Sequence, residues 1–424
     1  MLDIRFIREN PDIVKKDLEK RNDKEKLVWI DDLLKKDIEY RKSLQENQAL
    51  RQSRNTITEE INKLRKQGLD FKEKVQEAKE LPDKIKQSDE KLAELKEKID
   101  YYLMRLPNIL HESVPVGKDA NGNVVIKEWG KKPKFDFELK PHGELLQDLG
   151  LANIEKAAEV SGHGFYYLLG DIARLELALV NFAVDSLSKE GYTLVEPPLM
   201  LRRKPYEGVT DLKDFETMMY KVDGEDLLLI ATSEHPIAAM LMNENLEEKQ
   251  LPLKFVGYSP CFRKELGSHS IDTRGIFRVH HFNKVEQFIF CKPEDSWKFH
   301  EELLKNAEEI FQKLEIPYRI VNICTGDIGI VAAKKYDIEA WFPRENLYRE
   351  VVSCSNCTAY QAIRLNIKYR KGEEKDYVHT LNSTAVATSR ALRAIIENFQ
   401  QKDGTIKVPK VLQKYIGKKV IGKG

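Results

Sequence analysis

The residues best suited to chemistry lie in two short segments, 261–265 and 273–286, which a polar loop separates. Charged and aromatic side chains recur there at alternating positions: Arg263, Glu265, Arg278, His280, Phe282, Lys284 and Glu286. Because successive side chains of a strand point to opposite faces, this spacing places the set on one face of a strand pair. Guanidinium groups bind phosphates and an aromatic ring stacks on a base, so the face suits a nucleoside triphosphate. An exposed, salt-bridged sheet face is the alternative that these residues leave open.

Other sequence patterns point to chemistry less strongly. The segment Cys354–Cys357 has the CxxC spacing of zinc and redox sites, but no second CxxC or paired histidines lie nearby in the sequence. His280 and His281 could serve in acid–base catalysis. The sequence contains no GxxxxGKS or GxGxxG loop, so a Walker or Rossmann mode of nucleotide binding is not supported.

The composition indicates a large globular chain without a membrane segment. The 424 residues suffice for more than one domain, and the formal net charge of +1 gives no bulk attraction to nucleic acid. Any RNA site must therefore come from a local arrangement of charge. Five cysteines, without a signal peptide or a long apolar run, favour free thiols in the cytoplasm over disulfides.

Residues 1–106 form a first region, and within it the segment from about 27 to 106 has the pattern of a helical hairpin. Apolar residues recur at helical spacing up to the break at 67–70, and again beyond it. They include Leu27, Ile30, Leu34, Ile38, Ile57, Ile61 and Leu64, then Val75, Ala78, Ile85, Leu92, Leu95, Ile99, Leu103 and Leu106. We expect two helices of roughly 35 residues, each about 50 Å long, in an antiparallel coiled coil. Pro82 should kink or shift the second helix.

The charge of the hairpin suggests one function among several. Between residues 41 and 66, seven basic residues stand against three acidic ones. A basic helix can follow a phosphate backbone by charge and shape. The candidate RNA-binding residues are Arg41, Lys42, Arg51, Arg54, Lys63 and Arg65. Dimerisation or spacing is the alternative for such a hairpin.

The remainder of the chain has the pattern of an α+β domain. Turn signals dominate residues 107–160, which we interpret as a connector and the edge of the next domain. From 161 to 424, predicted helices (171–190, 295–314, 386–400) alternate with short strand-like runs (227–231, 254–258, 285–291, 318–323). Runs of this length are typical of an antiparallel sheet with helices packed against it.

Four features together resemble one enzyme family. Segment 273–286 resembles motif 2 of the class II aminoacyl-tRNA synthetases and is similar to the seryl enzymes in particular. Residues 173–198 resemble motif 1, which builds the dimer interface in that class, and 383–392 resemble motif 3. The hairpin resembles the arm with which seryl enzymes grip tRNA. The resemblance implies a cytoplasmic homodimer that activates L-serine with ATP and charges tRNA(Ser), with tRNA(Sec) as a further candidate acceptor.

The resemblance also implies a role for individual residues. Arg263 would hold the α-phosphate and the serine carboxylate, Phe282 would stack on adenine, and Arg390 would bind outer phosphates; Arg263 and Arg390 are the catalytic pair. Glu350 and Ser353 would bind Mg²⁺, for which a carboxylate and a hydroxyl are suitable ligands. The ATP-binding set is Arg263, Lys264, Glu265, Arg274, Val279, His280, His281, Phe282, Glu350, Val351, Val352, Ser353 and Arg390.

Serine selection would rest on two carboxylates and two hydroxyls, which suit a substrate with an ammonium and a hydroxyl group. The implied serine-binding set is Thr232, Ser233, Glu234, Arg263, Glu286 and Thr384. Glu286 is the expected main determinant, because a site built around a hydroxyl rejects an analogue that lacks it. Thr232 could instead cap a helix that starts near Glu234.

Three residues depart from the pattern of the seryl enzymes. Ser383 stands where seryl enzymes commonly have glycine, and Ala359 and Ile363 stand where Asp and Arg are frequent.

Two rival functions remain open for this sequence. One rival is a class II homologue that activates another small amino acid or loads a carrier protein. The other is a catalytically silent RNA-binding or scaffold protein with the same fold.

Overall fold

The computed structural model describes residues 1–211, 217–265 and 275–422. The chain divides into two compact units between Leu106 and Pro107. One unit holds Leu2–Leu106, and the other holds the chain from Pro107 onward together with Met1. Within the described ranges, no helix combines the length and the apolar character needed to cross a membrane.

The first unit consists of helices alone. Two short helices, Ile4–Glu9 and Pro11–Lys20, precede the long pair Lys24–Lys66 and Lys72–Leu103. Asp23 caps the first long helix by accepting a bond from the Lys26 amide (3.1 Å). The helices have 43 and 32 residues, so the first is longer than expected at about 65 Å. The antiparallel pair is confirmed, and the second helix runs through Pro82.

The apolar seam of the hairpin differs from the predicted one in its first half. Ile38 was expected on the inner face, but 61 % of its surface is exposed. The neighbouring Asp37 is buried instead, and its Oδ2 forms ion pairs with Arg8 Nε (2.9 Å) and Arg41 Nε (3.1 Å). The spacing of apolar residues does not reveal a buried ion pair, because the residues that form it are charged. The inner face of this helix was therefore predicted one residue too far along the chain. Ile30 and Ile57 are buried as expected.

A three-residue polar layer joins the two long helices near their middle. Arg51 Nη2 bonds both carboxylate oxygens of Asp89 at 2.8 and 2.7 Å. Asn47 donates from Nδ2 to Asp89 Oδ1 (2.9 Å), and its Oδ1 accepts from Arg51 Nε (2.8 Å). A bidentate pair within such a network has defined geometry, unlike an isolated surface ion pair. The layer therefore aligns the two helices at a single relative position.

The second unit is built on an eight-stranded sheet. The strands in the described part of this unit are β1 Val124–Trp129, β2 Ala152–Asn153, β3 Tyr167–Leu168, β4 Thr193–Val195, β5 Met200–Leu201, β6 Leu228–Leu229, β7 Asn245–Glu247, β8 Leu253–Phe262, β9 His281–Cys291, β10 Tyr318–Asn322, β11 Lys334–Phe342, β12 Leu347–Asn356, β13 Lys368–Lys371, β14 Glu374–Tyr377, β15 His379–Ala387, β16 Ile406–Lys407 and β17 Val420–Ile421. The order in the main sheet is β1-β10-β11-β12-β15-β9-β8-β4, and all neighbours in it are antiparallel except β4 and β8. The predicted α+β class, with a largely antiparallel sheet, is confirmed.

Helices pack against this sheet and complete its core. The α-helices are His142–Asp148, Ile154–Ser161, Gly170–Lys189, Arg203–Val209, Glu234–Ala239, Ser296–Lys313, Tyr360–Leu365, Thr388–Asn398 and Gln413–Ile416, with 3₁₀ turns at Ala120–Gly122, Glu248–Gln250, Pro293–Asp295 and Lys410–Leu412. The three helices predicted at 171–190, 295–314 and 386–400 are present. In the longest, Ile172, Leu175 and Leu179 recur at helical spacing and are buried in the main core.

The polar layer gives a first prediction. The variant Arg51→Glu places a carboxylate beside Asp89 and removes the bidentate pair, so backbone amides in the middle of Lys24–Lys66 should exchange faster. Hydrogen–deuterium exchange of the full-length chain measures this. Arg54→Glu is the matched control, because it makes the same charge change at an exposed position outside the layer. Unchanged exchange in Arg51→Glu would show that the layer does not hold the helices together.

Candidate active site

A cavity of about 310 Å³ opens on the second unit's main sheet and collects most of the predicted site residues. The predicted residues that line it are Thr232, Glu234, Arg263, Glu265, Val279, Phe282, Glu286, Glu350, Val351, Ser353, Thr384 and Arg390. They come from segments more than 150 residues apart in the sequence. The fold therefore brings together the phosphate-binding, aromatic and carboxylate groups that the sequence suggested.

Strand register explains how the central residues meet. In the antiparallel pair β8–β9, Glu286 lies opposite Gly257, and in β9–β15 it lies opposite Thr384. Phe282, Lys284 and Glu286 alternate along β9, and all three line the cavity. The predicted period-two face is thus present on this strand.

One end of the cavity presents carboxylates with hydroxyl and amide partners. Glu286 Oε2 bonds Lys284 Nζ (2.6 Å) and accepts a bond from Thr384 Oγ1 (3.2 Å). Glu234 Oε1 accepts bonds from Gln361 Nε2 (2.8 Å) and Asn382 Nδ2 (3.1 Å). This end can hold a small ligand that carries a cationic and a hydroxyl group.

The pKa of Glu234 reflects its burial and three charged neighbours. Burial, and then the nearby Glu286 carboxylate, raise the pKa of Glu234 to about 7. Lys284 and Arg263 oppose this by lowering it. The adjacent His235 is buried beside the same two cations, and its pKa falls to about 3, so its ring is neutral. A cationic ligand would favour the ionised form of Glu234.

Thr232 has a local structural role, but it is not the N-cap that was considered for it, because Ser233 occupies that position. Its Oγ1 accepts a bond from the amide of Glu234 (3.2 Å), at the start of helix Glu234–Ala239. Its side chain also lines the cavity, so the two roles are compatible. Ser233 differs, because its side chain is fully buried against Gly257 and lies outside the cavity lining.

The other end of the cavity concentrates cations around Glu350. Arg390 Nη1 bonds Glu350 Oε1 (3.1 Å), and Arg263 lies over the Phe282 ring with 5.5 Å between guanidinium carbon and ring centroid. Burial acts to raise the pKa of Glu350, but Arg390, Lys335 and Arg263 outweigh it and lower that pKa. This end is suited to a polyanion.

Several predicted ATP-binding residues lie outside the lining. The rings of His280 and His281 stack on Phe165 (5.3 Å between centroids) and Phe262 (5.2 Å), respectively. Val352 is buried on β12 opposite Ile338, and Lys264 is likewise not among the lining residues. Alternation accounts for His281, which lies on β9 next to the lining residue Phe282. His280 was expected on the same face as Phe282, but it precedes β9, and its Nδ1 lies 2.6 Å from the Tyr220 hydroxyl. Arg274 lies outside the described residues.

Sequence reasoning also missed residues that line the cavity. Arg278 was part of the alternating pattern but received no role, and it lies 3.5 Å from Glu265 (Nη1 to Oε2). Lys335 and Asn382 lie on β11 and β15 and were not singled out at all. The alternation on the strand arms was the signal for Arg278; the other two carried no motif of their own.

Glu350 and Ser353 have the donor atoms of a magnesium site. Both line the cavity from β12, and the pair offers one carboxylate and one hydroxyl oxygen. Asp337 lies directly opposite Ser353 across β11–β12, and its Oδ1 is buried without a hydrogen-bond partner in the described chain. Oxygen donors of this kind fit Mg²⁺, which takes its remaining ligands from water and phosphates. In the described ranges, no group of three or more His, Cys, Asp or Glu residues could hold a metal alone.

Ser383, which departs from the family pattern, and the two cysteines of the CxxC segment are all buried. Ser383 is fully buried in β15, opposite Cys354, and is not in the positive-φ region that would demand glycine. All five cysteines are free and buried. Cys354 Sγ donates to the His300 carbonyl (3.7 Å), and Cys357 Sγ accepts from Asn382 Nδ2 (3.6 Å).

A buried ionic cluster lies next to the cationic end of the cavity. Arg393, only 1 % exposed, bonds Glu397 (Nε to Oε1, 2.8 Å) and also Glu345. Its guanidinium carbon lies 4.6 Å from the centroids of both Phe277 and Phe342. Phe277 in turn lines the cavity beneath Arg390. The cluster therefore fixes the helix that carries Arg390.

Comparisons with known proteins place this arrangement in a family. Residues 217–399 match the tRNA synthetase class II core domain (G, H, P, S and T), and residues 1–110 match the seryl-tRNA synthetase N-terminal domain. The serine–tRNA ligase of Methanocella arvoryzae is 60 % identical over 98 % of this chain and 99 % of its own length. The chain belongs to the serine–tRNA ligases.

Solved structures of this family agree with the fold. The seryl-tRNA synthetase of Pyrococcus horikoshii, complexed with ATP, has a TM-score of 0.92 at 54 % identity, covering 99 % of both chains. The cytoplasmic serine–tRNA ligase of Naegleria fowleri, in complex with AMP, has a TM-score of 0.87 at 35 % identity, covering 99 % of this chain and 98 % of its own.

The ionic cluster gives a second prediction. Arg393→Met removes the cation that compensates buried Glu397, so the free energy of unfolding of this unit should fall by about 3–5 kcal/mol. Guanidinium unfolding of the full chain, followed by tryptophan fluorescence, measures the loss. Arg349→Met is the matched control: Arg349 also bonds Glu345 (2.8 Å) but is 42 % exposed, so its removal should cost below about 1 kcal/mol. Equal effects of the two variants would contradict the importance of burial.

Proposed function

We propose that this chain activates L-serine with ATP to seryl-adenylate and transfers the serine to tRNA(Ser). The observation that carries the proposal is the division of one cavity into a carboxylate–hydroxyl end and a cationic end. Serine requires the first and a triphosphate requires the second. The full-length similarity to serine–tRNA ligases, one of them complexed with ATP, supports the same function.

In the proposed serine pocket, the two carboxylates have different partners and different tasks. Glu286, with Thr384, would bind the serine hydroxyl, and Glu234, with Thr232, would bind the ammonium. Alanine would leave Glu286 without a partner, and leaving a buried acceptor unpaired disfavours that analogue strongly. The arginine at the centre, Arg263, would hold the serine carboxylate near the α-phosphate.

In the proposed ATP site, Phe282 stacks on adenine, and Glu265 with Val279 borders the base. Arg390 and Arg278 would bind the outer phosphates, and the resemblance to motif 2 adds Arg274. Glu350 and Ser353 would hold Mg²⁺, which supplies charge neutralisation at the phosphates when bound. Val351 lines the same wall of the cavity.

The reaction then needs positioning more than proton transfer. A serine carboxylate oxygen attacks the α-phosphorus in line, the bond to the bridging oxygen breaks, and pyrophosphate leaves. Arg263 neutralises the charge that builds on the α-phosphate. In the second step, a ribose hydroxyl at the tRNA 3′ end attacks the seryl carbonyl, and AMP leaves.

The third prediction tests activation without tRNA. Amino-acid-dependent ATP–pyrophosphate exchange, measured with Mg²⁺ for all twenty amino acids, should occur with serine. Arg263→Ala should lower the exchange rate by about 10² or more, because a preorganised charge at the reacting group is lost. Arg319→Ala, an arginine paired with Glu339 outside the cavity, should keep the wild-type rate. No exchange from folded protein, or near-normal exchange in Arg263→Ala, would contradict the assignment.

We further propose that residues 1–106 form the tRNA-binding arm, with 107–160 as connector and 161–424 as catalytic domain. The match of residues 1–110 to the seryl-tRNA synthetase N-terminal domain supports this. Arg54, Lys63 and Arg65 are exposed basic residues toward the hairpin tip. Arg41, Lys42 and Arg51 already bond Asp37, Glu46 and Asp89, so contact with RNA would require exchange of these partners.

The fourth prediction separates the arm from activation. Reversing Arg54, Lys63 and Arg65 together to Glu should weaken aminoacylation of tRNA(Ser) and reduce its salt dependence by about one unit of slope per lost phosphate contact. Pyrophosphate exchange should be unchanged. Reversal of Lys79, Lys86 and Lys98 on the returning helix is the matched control and should affect neither activity. Equal loss of both activities in the first variant would contradict a separate tRNA-binding arm.

Three further properties belong to the proposed function. A homodimer would cover the exposed apolar side chains in the motif 1 region, Leu177 and Leu194, and beside it, Leu169 and Met200. Residence in the cytoplasm fits five free cysteines. tRNA(Sec) is proposed as a second acceptor, to be compared with tRNA(Ser) in the aminoacylation assay.

A further inference from the structure

One buried glutamine reaches the proposed serine pocket from outside the cavity. Gln361, in helix Tyr360–Leu365, is fully buried and is not part of the cavity lining. Its Nε2 donates to Glu234 Oε1 (2.8 Å) and to the carbonyl of Val209 (2.9 Å). Its Oε1 accepts a bond from Thr380 Oγ1 (2.7 Å). The side chain thus connects three segments that are distant in sequence.

The partners of Gln361 allow a single orientation of its amide. A carboxylate and a carbonyl face one side, and both can only accept, so that side must be the amino group. The hydroxyl of Thr380 donates to the other side. Turning the amide over would set its oxygen against Glu234 and Val209. The network therefore fixes Gln361 as a donor to Glu234.

The second amide of the network leaves Glu234 with one oxygen for a ligand. Asn382 Nδ2 also donates to Oε1 of Glu234, at 3.1 Å. With both amides on Oε1, the carboxylate plane is held and Oε2 is the oxygen available to the cavity. Holding an acceptor in place beforehand strengthens binding, since no ordering cost remains at the moment of binding.

We propose that Gln361 is a positioning residue for the amino acid, which orients Glu234 so that Oε2 receives the ammonium of serine. The inference rests on the proposed function and adds a residue that never touches the substrate. The ammonium takes no part in bond making or breaking. Its binding is therefore equal in the ground and transition states, and loss of Gln361 raises KM for serine while kcat is nearly unchanged.

The charged surroundings of Glu234 give an independent readout. Glu286 and Lys284 face it from β9, Arg263 from the end of β8, and the Cys357 thiol from the segment after β12. Donation by Gln361 lowers the pKa of Glu234, against burial and Glu286, which raise it to about 7. Since ammonium binding needs the carboxylate, kcat/KM for serine falls as the pH drops through this pKa. Without Gln361 that fall occurs at higher pH.

The experiment is serine-dependent pyrophosphate exchange with Gln361→Leu in the full-length chain. A hydrogen bond to a charged group is worth roughly a factor of ten or more, so KM for serine should rise by about tenfold or more. KM for ATP and kcat should stay within about threefold, because the lost bond lies at the carboxylate end of the cavity. The acid limb of kcat/KM for serine should move to higher pH.

The controls separate this role from the loss of any buried glutamine. Gln287→Leu is the matched control: Gln287 is fully buried, donates to the Leu303 carbonyl (3.2 Å) and accepts from Asn306 (2.9 Å). It should lower stability without changing KM for serine. Thr380→Val should reproduce the effect of Gln361→Leu in milder form, and Thr380→Ser, which keeps the hydroxyl, should restore the wild-type KM.

Each outcome has a distinct meaning. If the wild-type chain shows no serine-dependent exchange, the proposed function fails first. If wild type is active and Gln361→Leu keeps both its KM for serine and its pH profile, the positioning role is wrong. An equal rise in KM for Gln287→Leu would also overturn it. Should Gln361→Leu not fold, the Thr380→Val and Thr380→Ser pair decides by the same two readouts.

Discussion

Two carboxylates in one small cavity are the constraint on which the site depends. Glu234 and Glu286 repel each other, and burial opposes the charge of Glu234 further. Lys284 and Arg263 supply the compensating charge, and hydrogen-bond donors hold each carboxylate in place. The sheet makes this possible, because side chains alternate between the two faces of β9, so that Lys284 and Glu286, two residues apart, lie on the same face.

The same principle operates at the other end with the signs reversed. Three cations, Arg263, Lys335 and Arg390, stand against two carboxylates, Glu350 and Asp337, so positive charge is in excess. Such an excess is unfavourable in an empty cavity and favourable with a polyanion present. The binding energy of the triphosphate thus includes relief of repulsion among the arginines and lysine. The buried Arg393 cluster holds the helix that carries Arg390 in place against that repulsion.

The sequence could predict what is periodic and local, and little of what is buried and polar. Alternation predicted the face of β9, and apolar spacing predicted the long helices of both units. Gln361 escaped notice because its partner Glu234 lies 127 positions away in the chain. Arg393 and Asp337 have partners close in sequence, Glu397 and Lys335, but the sequence does not reveal that these ion pairs are buried. Contiguous motif assignment also overreached, since it included His280 and His281, which do not line the cavity and whose rings stack on Phe165 and Phe262.

The polar layer of the hairpin limits how the length of the arm can change. Asn47 and Arg51 can meet Asp89 only if the number of residues between the layer and the tip stays balanced on the two helices. A deletion in only one of the two helices would separate Asp89 from its partners and bring its unpaired carboxylate opposite an apolar side chain. Deletions or insertions matched on both helices, on the tip side of the layer, would preserve it. Natural length variation of such arms should therefore come in paired steps near the tip.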